Sequence, residues 1–226
     1  MKVRCLDVRR RMRLFRDHRR LSLLTKKGFE NIFWGVLITV LDFRIVGINL
    51  LPDFMGFFLI SRGLIQCAEY SWAFVKAKYL SIGLAIITIP DIVEIFIIDN
   101  CLYPYYWVNA FWPIYAIGGI LNLVMMGFLL IGIKQLAQEM KEVDLEINTK
   151  YALGAYLISE GLLIALFLFS HFSCPHLISP ILPGLLILIS MIVGLFGLLI
   201  FIGVLYVLNE AKIMASKISS QADVML

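Results

Sequence analysis

The stretch ILPGLLILISMIVGLFGLLIFIGVLYVL, residues 181–208, contains no Asp, Glu, Lys, Arg or His. Its only hydroxyl-bearing side chains are Ser190 and Tyr206. A helix that crosses a bilayer needs about 20 apolar residues. In hydrocarbon it must also satisfy every backbone polar group internally. The stretch therefore predicts a membrane helix, and the rest of the chain repeats its character. Further apolar runs occupy 151–172, 112–133, 79–98, 54–68 and 30–41. Of the 226 residues, 61% are apolar and 16% charged, against about 45–50% and about 25% in a soluble domain. The mean hydropathy of +0.89 agrees. A soluble globular domain and a disordered chain are both excluded. The expected fold is an all-α integral membrane protein with six transmembrane helices in three hairpins. Residues 28–210 form the membrane domain, 1–27 a cytoplasmic arm and 211–226 a short cytoplasmic tail.

Charge placement orients these spans. The net charge of +4 combines a basic arm with an acidic body. Residues 1–27 hold 11 Lys/Arg and two Asp; residues 28–226 hold nine Lys/Arg and 14 Asp/Glu. Lys76 and Lys78, Lys134, Lys141 and Lys150, and Lys212 and Lys217 join the arm on one side if both termini are cytoplasmic. The connections at 99–111 and 171–180 contain no Lys or Arg. Cytoplasmic excess of these residues is the positive-inside pattern, so the expectation is N-in, C-in. In the arm, Val8, Met12 and Phe15 recur at helical spacing among Arg9, Arg10, Arg11, Arg13 and Arg16, with Arg19 and Arg20 beyond. This is a basic amphipathic helix suited to the surface of a membrane with anionic lipids. Nucleic-acid binding lacks any supporting motif. Tyr103, Tyr105, Tyr106, Trp107, Phe111 and Trp112 read as an interfacial aromatic belt at the outer end of the fourth span. Leu136, Met140, Val143 and Ile147 extend the fourth helix into the cytoplasm.

The three hairpins share features. Gly63, Gly132 and Gly203 close the even helices in similar frames, and Pro52, Pro113 and Pro183 stand near their outer starts. The spacing from proline to glycine is 19 or 20 residues in the second and third hairpins and 11 in the first. At 1.5 Å per residue the first hairpin falls short by roughly 9–13 Å on each limb. Its tip, residues 42–53, would then turn inside the outer half of the bilayer as a re-entrant element built on Leu51, Pro52, Asp53 and Gly56. A continuous first span over 32–51 is the rival reading.

Charges inside a bilayer cost about 2.5–3.5 kcal/mol each on insertion scales. Those assigned to the interior are Asp42, Arg44, Asp53, Arg62, Asp91, Glu94 and Glu160. Asp91 and Glu94 share a helix face. Counted from the inner flanks, Asp42, Asp53, Asp91 and Glu94 lie roughly 20–24 Å up and Glu160 about 15 Å. Two readings stand. Asp42, Arg44, Asp53, Asp91, Glu94 and Glu160 line an outward-open cavity for a cation, a proton or a polar ligand, or they form a structural ion-pair network. Carboxylates at one level repel unless a cation, a proton or Arg44 lies between them.

No phosphate-binding loop, HExxH or GxSxG occurs, so no enzyme is read here and no cofactor is implied. His171, Cys174 and His176 lack a fourth ligand for a metal. Cys101 and Cys174 fall in outer connections, where a disulfide could join two hairpins; free thiols are the alternative.

The segment from Asp42 to Gly56, with its Leu51-Pro52-Asp53-x-x-Gly56 core, followed by Leu59-Ile60 and Gly63-Leu64, resembles a segment of a family of small multi-pass membrane proteins. These belong to Gram-positive, spore-forming bacteria. The resemblance covers residues 31–69 and implies a bacterial plasma-membrane location; it implies no activity. Two functions follow as expectations: a small transporter or channel-like protein, acting as a homo-oligomer or subunit, or a non-catalytic accessory, immunity or sensor subunit that binds another membrane protein.

Overall fold

The computed structural model describes residues 25–40, 44–45, 48–49, 53–89, 104–172 and 181–224. The fold is helical. Helix α1 covers 25–40, α2 Asp53–Cys67, α3 Trp72–Ile87, α4 Pro104–Met140, α5 Val143–Phe172 and α6 Ile181–Val224. Between α1 and α2 lies one small antiparallel ladder, β1 (Arg44–Ile45) against β2 (Ile48–Asn49), pairing Arg44 with Asn49 and Ile45 with Ile48. Among the described residues, two segments could cross a membrane by length and composition, Ala116–Met140 in α4 and Met191–Lys217 in α6.

Glycines set the closest contact. Gly28 of α1 lies against Gly63 of α2, and Gly35 against Gly56. The spacing of seven on each helix keeps both glycines on one face, and the antiparallel register brings the two faces together. A Cβ at Gly35 would stand 2.6 Å from the Gly56 carbonyl oxygen. Small residues let helix backbones approach in this way, and apolar surroundings favour it. Ile32 and Ile60, both fully buried, pack between the glycine pairs.

Each following helix packs on the one before it. Ser71 caps α3: its backbone is extended and its hydroxyl oxygen accepts from the Ala73 N–H at 3.0 Å. The same hydroxyl donates to Gln135 Oε1 of α4. One turn further on, the fully buried Phe74 ring presses on Gly132. It also meets the Phe29 ring edge-on at 6.1 Å, so one side chain joins α1, α3 and α4.

The α4–α5 connection departs from the expected continuous cytoplasmic extension. Helix α4 stops at Met140, and α5 begins at Val143, eight residues before the apolar run at 151. Lys141 takes a left-handed backbone at φ 59°. The Glu142 N–H returns to Ala137 O at 3.0 Å and the Lys141 N–H to Gln138 O at 3.2 Å, the paired bonds of a Schellman C-cap. The apolar spacing of Leu136 and Met140 with Val143 and Ile147 hid the stop, because glycine rather than lysine normally marks it. Leu136 is buried, but Val143 and Ile147 are exposed. Pro113 also differs from expectation. It lies inside α4, which starts at Pro104; Pro104 takes the first-turn place that suits proline. Pro183 does stand in the first turn of α6.

The core of the described residues lies toward the end of the bundle that carries the α2–α3 and α4–α5 connections. Among the described residues, the buried positions farthest from the α2–α3 and α4–α5 connections, toward the end expected to face outward, are Val36, Gly56, Leu84, Met125, Ser159 and Val204. Contacts between neighbouring helices show how these align. Gly127 lies against Leu157 and Gly119 against Ile164. Phe74 lies against Gly132, and Ser159 against Gly197. In that register the first five positions share one level, a flat roof to the core, and α6 leaves the core one to two turns lower. Beyond the roof none of the residues whose side chains are described is buried. The side chains there are apolar and exposed: Ile86, Ile89, Ile114, Ile117, Ile120, Leu162 and Phe169, and on α6 Met191, Leu195, Phe196, Leu199 and Ile202.

Candidate functional site

Two polar groups stand out, one at each limit of the core. At the inner end, the Thr25 hydroxyl donates to Tyr70 Oη at 2.7 Å, and burial pushes the Tyr70 phenol up from its ordinary range. Glu210 of α6 accepts from Asn148 Nδ2 at 3.2 Å and from the Tyr206 hydroxyl at 2.6 Å. Gln138 Nε2 donates to Glu146 at 2.6 Å across the α4–α5 turn. Lys212 and Glu30 lie 4.0 Å apart and both are partly exposed, a pair that ties α6 to α1 weakly. These bonds satisfy helix ends and fix the order of the helices. Between α1 and α2, Asn31 Nδ2 and Gln66 Oε1 are buried without a hydrogen-bond partner.

The group at the roof is different. Tyr156 and Glu160 stand four residues apart on one face of α5, and Ser159 lies on the same turn. Tyr156 and Ser159 are buried, whereas Glu160 is half-exposed. Across the interface, Asn122 Nδ2 of α4 donates to Tyr156 Oη at 3.5 Å, a bond at the long limit of useful geometry. Ser159 Oγ is buried without a hydrogen-bond partner. It faces Gly197 of α6, where a Cβ would come within 3.3 Å of it. Two helices therefore carry an amide, two hydroxyls and a carboxylate within about two turns of one another, Asn122 and Tyr156 at the α4–α5 contact and Ser159 at the α5–α6 contact.

The expected site residues divide clearly. Glu160 is at the roof. Asp53 opens α2 in its first turn, where a carboxylate suits the positive end of the helix dipole, and it has its own interaction partner. The register through α2 and α3 puts Asp53 within about one turn of the Glu160 level. The gap counted from the flanks closes because α5 begins at Val143, so Glu160 stands further along its helix than Lys150 suggested. Gly56 belongs to the glycine contact with Gly35. Arg62 is exposed on α2, toward the inner end. Arg44 enters the ladder through its backbone. Asp42, Leu51, Pro52, Asp91, Glu94, Cys101 and Cys174 lie outside the described residues, as do Arg9, Arg10, Arg11, Arg13, Arg16, Arg19 and Arg20. Cys67 is a buried free thiol. Among the described residues no group of three His, Cys, Asp or Glu is placed to hold a metal ion.

A search for buried charge misses Asn122, Tyr156 and Ser159, because none is ionised at neutral pH. The signal was nonetheless present: Tyr156 and Glu160 are four apart, and Asn122 is the one amide in the long apolar run of α4 before Gln135. No protein-family model, no curated protein and no solved structure matches this chain.

Proposed function

We propose that the chain is a polytopic integral membrane protein, six helices in three hairpins with both termini cytoplasmic. Its outer half handles a cation, a proton or a polar ligand at its carboxylates, as a small transporter or channel-like protein does. The observation that carries this reading is the polar level near the end of the described core: Asn122 bonds Tyr156, and Ser159 and Glu160 follow Tyr156 within about one turn of α5. Below the roof the bundle is closed by Phe74, Leu129, Leu130, Ile133 and Leu136, all fully buried. A packed inner half beneath carboxylates in the outer half suits a site reached from one side.

The membrane setting is supported by the direction of the exposed residues. Soluble monomers rarely present contiguous apolar patches beyond a few hundred Å², yet α6 exposes Leu195, Phe196, Leu198, Leu199 and Ile202 together. Trp72 is exposed at the start of α3 and Tyr79 midway along it, Tyr151 is exposed on α5, and Lys78 Nζ sits 4.3 Å over the Tyr79 ring; such residues suit a lipid headgroup interface. The basic arm, with Arg9 to Arg20, would rest on anionic headgroups. With the Asp42–Gly56 resemblance, the location is the bacterial plasma membrane.

The same exposed α6 face favours a second reading, an accessory subunit that binds another membrane protein. Only 17% of its apolar window is buried. Reconstitution in liposomes separates the two. The transport reading expects cation or proton flux that Glu160→Gln abolishes. Absence of flux from a folded wild type, under both cation and proton gradients, favours the accessory reading.

A further inference from the structure

The turn between α4 and α5 carries an open surface of mixed character. Met140, Val143 and Ile147 are exposed there, Val143 by 63%. They belong to one patch. The Schellman cap folds the chain tightly after Met140, and the Gln138–Glu146 bond joins the two helix ends across the turn. Val143 and Ile147 are four apart on α5 and share a face. Beside them Glu139, Glu142 and Asp144 are exposed. Residues 138–147 hold four acids and one lysine. Among the described residues no basic side chain forms an ion pair with Glu139, Glu142 or Asp144.

This combination narrows what covers the patch. Hydrocarbon does not suit it, because charge there is costly. An anionic headgroup surface repels its carboxylates. Apolar side chains rimmed by acids match apolar side chains rimmed by cations. The chain carries one segment of that kind. Residues 1–24 hold nine Lys/Arg and two Asp, and Val8, Met12 and Phe15 recur at helical spacing among the arginines. After residue 28 no ten consecutive residues hold more than two Lys/Arg.

The arm is also within reach. It joins α1 at Thr25, whose hydroxyl bonds Tyr70. The next residue, Ser71, bonds Gln135, which stands five residues before Met140, about 8 Å along α4. Arm and patch therefore share one end of the bundle. Phe74 touches both α1 and α4, so these helices stand within about two helix diameters, roughly 20–24 Å. The ten residues from Phe15 to Thr25 span up to roughly 33–36 Å, which exceeds both offsets combined.

We propose that the basic arm docks on the α4–α5 turn of its own chain, with Val8, Met12 and Phe15 on Met140, Val143 and Ile147 and the arginines against Glu139, Glu142 and Asp144. The proposal does not depend on the transport reading. Anionic headgroups compete for the same arginines, so the turn holds the arm where such lipid is scarce and releases it where such lipid is abundant.

The test uses the full chain with its native cysteines replaced, in nanodiscs of zwitterionic lipid. Spin labels at Asp17→Cys and Lys150→Cys report the distance from arm to turn by pulsed electron paramagnetic resonance. A docked arm gives a narrow population at roughly 20–25 Å, about two helix diameters. Glu142→Lys with Asp144→Lys is expected to lower that population by about fivefold. Val143→Ser with Ile147→Ser lowers it without changing charge. All four side chains are exposed, so an unchanged unfolding midpoint verifies the fold, and either pair suffices if the other folds poorly. A broad distribution of longer distances in the unaltered turn overturns the proposal and leaves the arm to headgroups. A short distance that survives both pairs of substitutions also overturns it. If chains carrying one label each, mixed before reconstitution, give the short distance, the arm seats on a second copy and the own-chain docking falls.

Discussion

Gly28 of α1 and Gly63 of α2 meet backbone to backbone, and one heptad along each helix Gly35 and Gly56 repeat the contact. The first hairpin is thereby fastened as a unit although α2 runs only 15 residues, about 22 Å. That is shorter than the hydrocarbon core of about 30 Å. Close approach of the two backbones compensates for the limited length of apolar surface each limb can bury.

Gly35→Ala is expected to destabilise the protein by about 1–3 kcal/mol, because the new methyl meets the Gly56 carbonyl and Ile60 and the pair must separate. Gly83→Ala is the control. Nothing lies within 4 Å of its added Cβ, and alanine raises helix propensity by up to about 1 kcal/mol. Thermal unfolding in detergent distinguishes the two. Equal effects would contradict the glycine interlock.

Phe74 joins three helices, so Phe74→Ala should be among the most damaging single substitutions. A loss of about 3–5 kcal/mol is expected for a fully buried ring. Denaturant unfolding of the variant measures it, and a loss under about 1 kcal/mol would mean that the ring is not a core element.

Ser71→Ala removes the α3 cap and a partner of Gln135. A cost of about 1 kcal/mol is expected from the cap alone. A double-mutant cycle with Gln135→Ala should give a coupling above about 0.5 kcal/mol. Strict additivity would show that the α3–α4 bond is absent in solution.

Lys141→Gly should stabilise rather than destabilise. A left-handed backbone costs an L-residue roughly 1–2 kcal/mol, and glycine escapes much of it; part of the gain is returned as entropy of the unfolded chain. A net rise of about 0.5–1 kcal/mol in unfolding free energy is the expected outcome. A fall would contradict the left-handed cap.

These elements differ in how openly the sequence displays them. The long apolar stretch from Ile181 to Leu208 announces its helix, because only one structure satisfies so many apolar residues in a row. The stop at Lys141 does not, because tertiary packing of two antiparallel helices outweighs the preference of one residue. The glycine interlock was visible as two spacings of seven, Gly28 to Gly35 and Gly56 to Gly63, but it becomes a contact only when the two helices are known to face each other. For the site, Glu160 is conspicuous as an acid in an apolar run. Tyr156 and Ser159 stand beside it on α5, whereas Asn122 joins Tyr156 only through the register of α4 and α5, which no local pattern encodes.

The central claim is that water reaches the carboxylates of the outer half from outside the cell. The direct measurement is labelling with a membrane-impermeant maleimide, applied to intact cells that carry the folded Asp53→Cys variant with the native cysteines replaced. Leu130→Cys, deep in the closed half, serves as reference. The account predicts rapid labelling at position 53 and none at position 130. A folded variant that stays unlabelled at position 53 would contradict it.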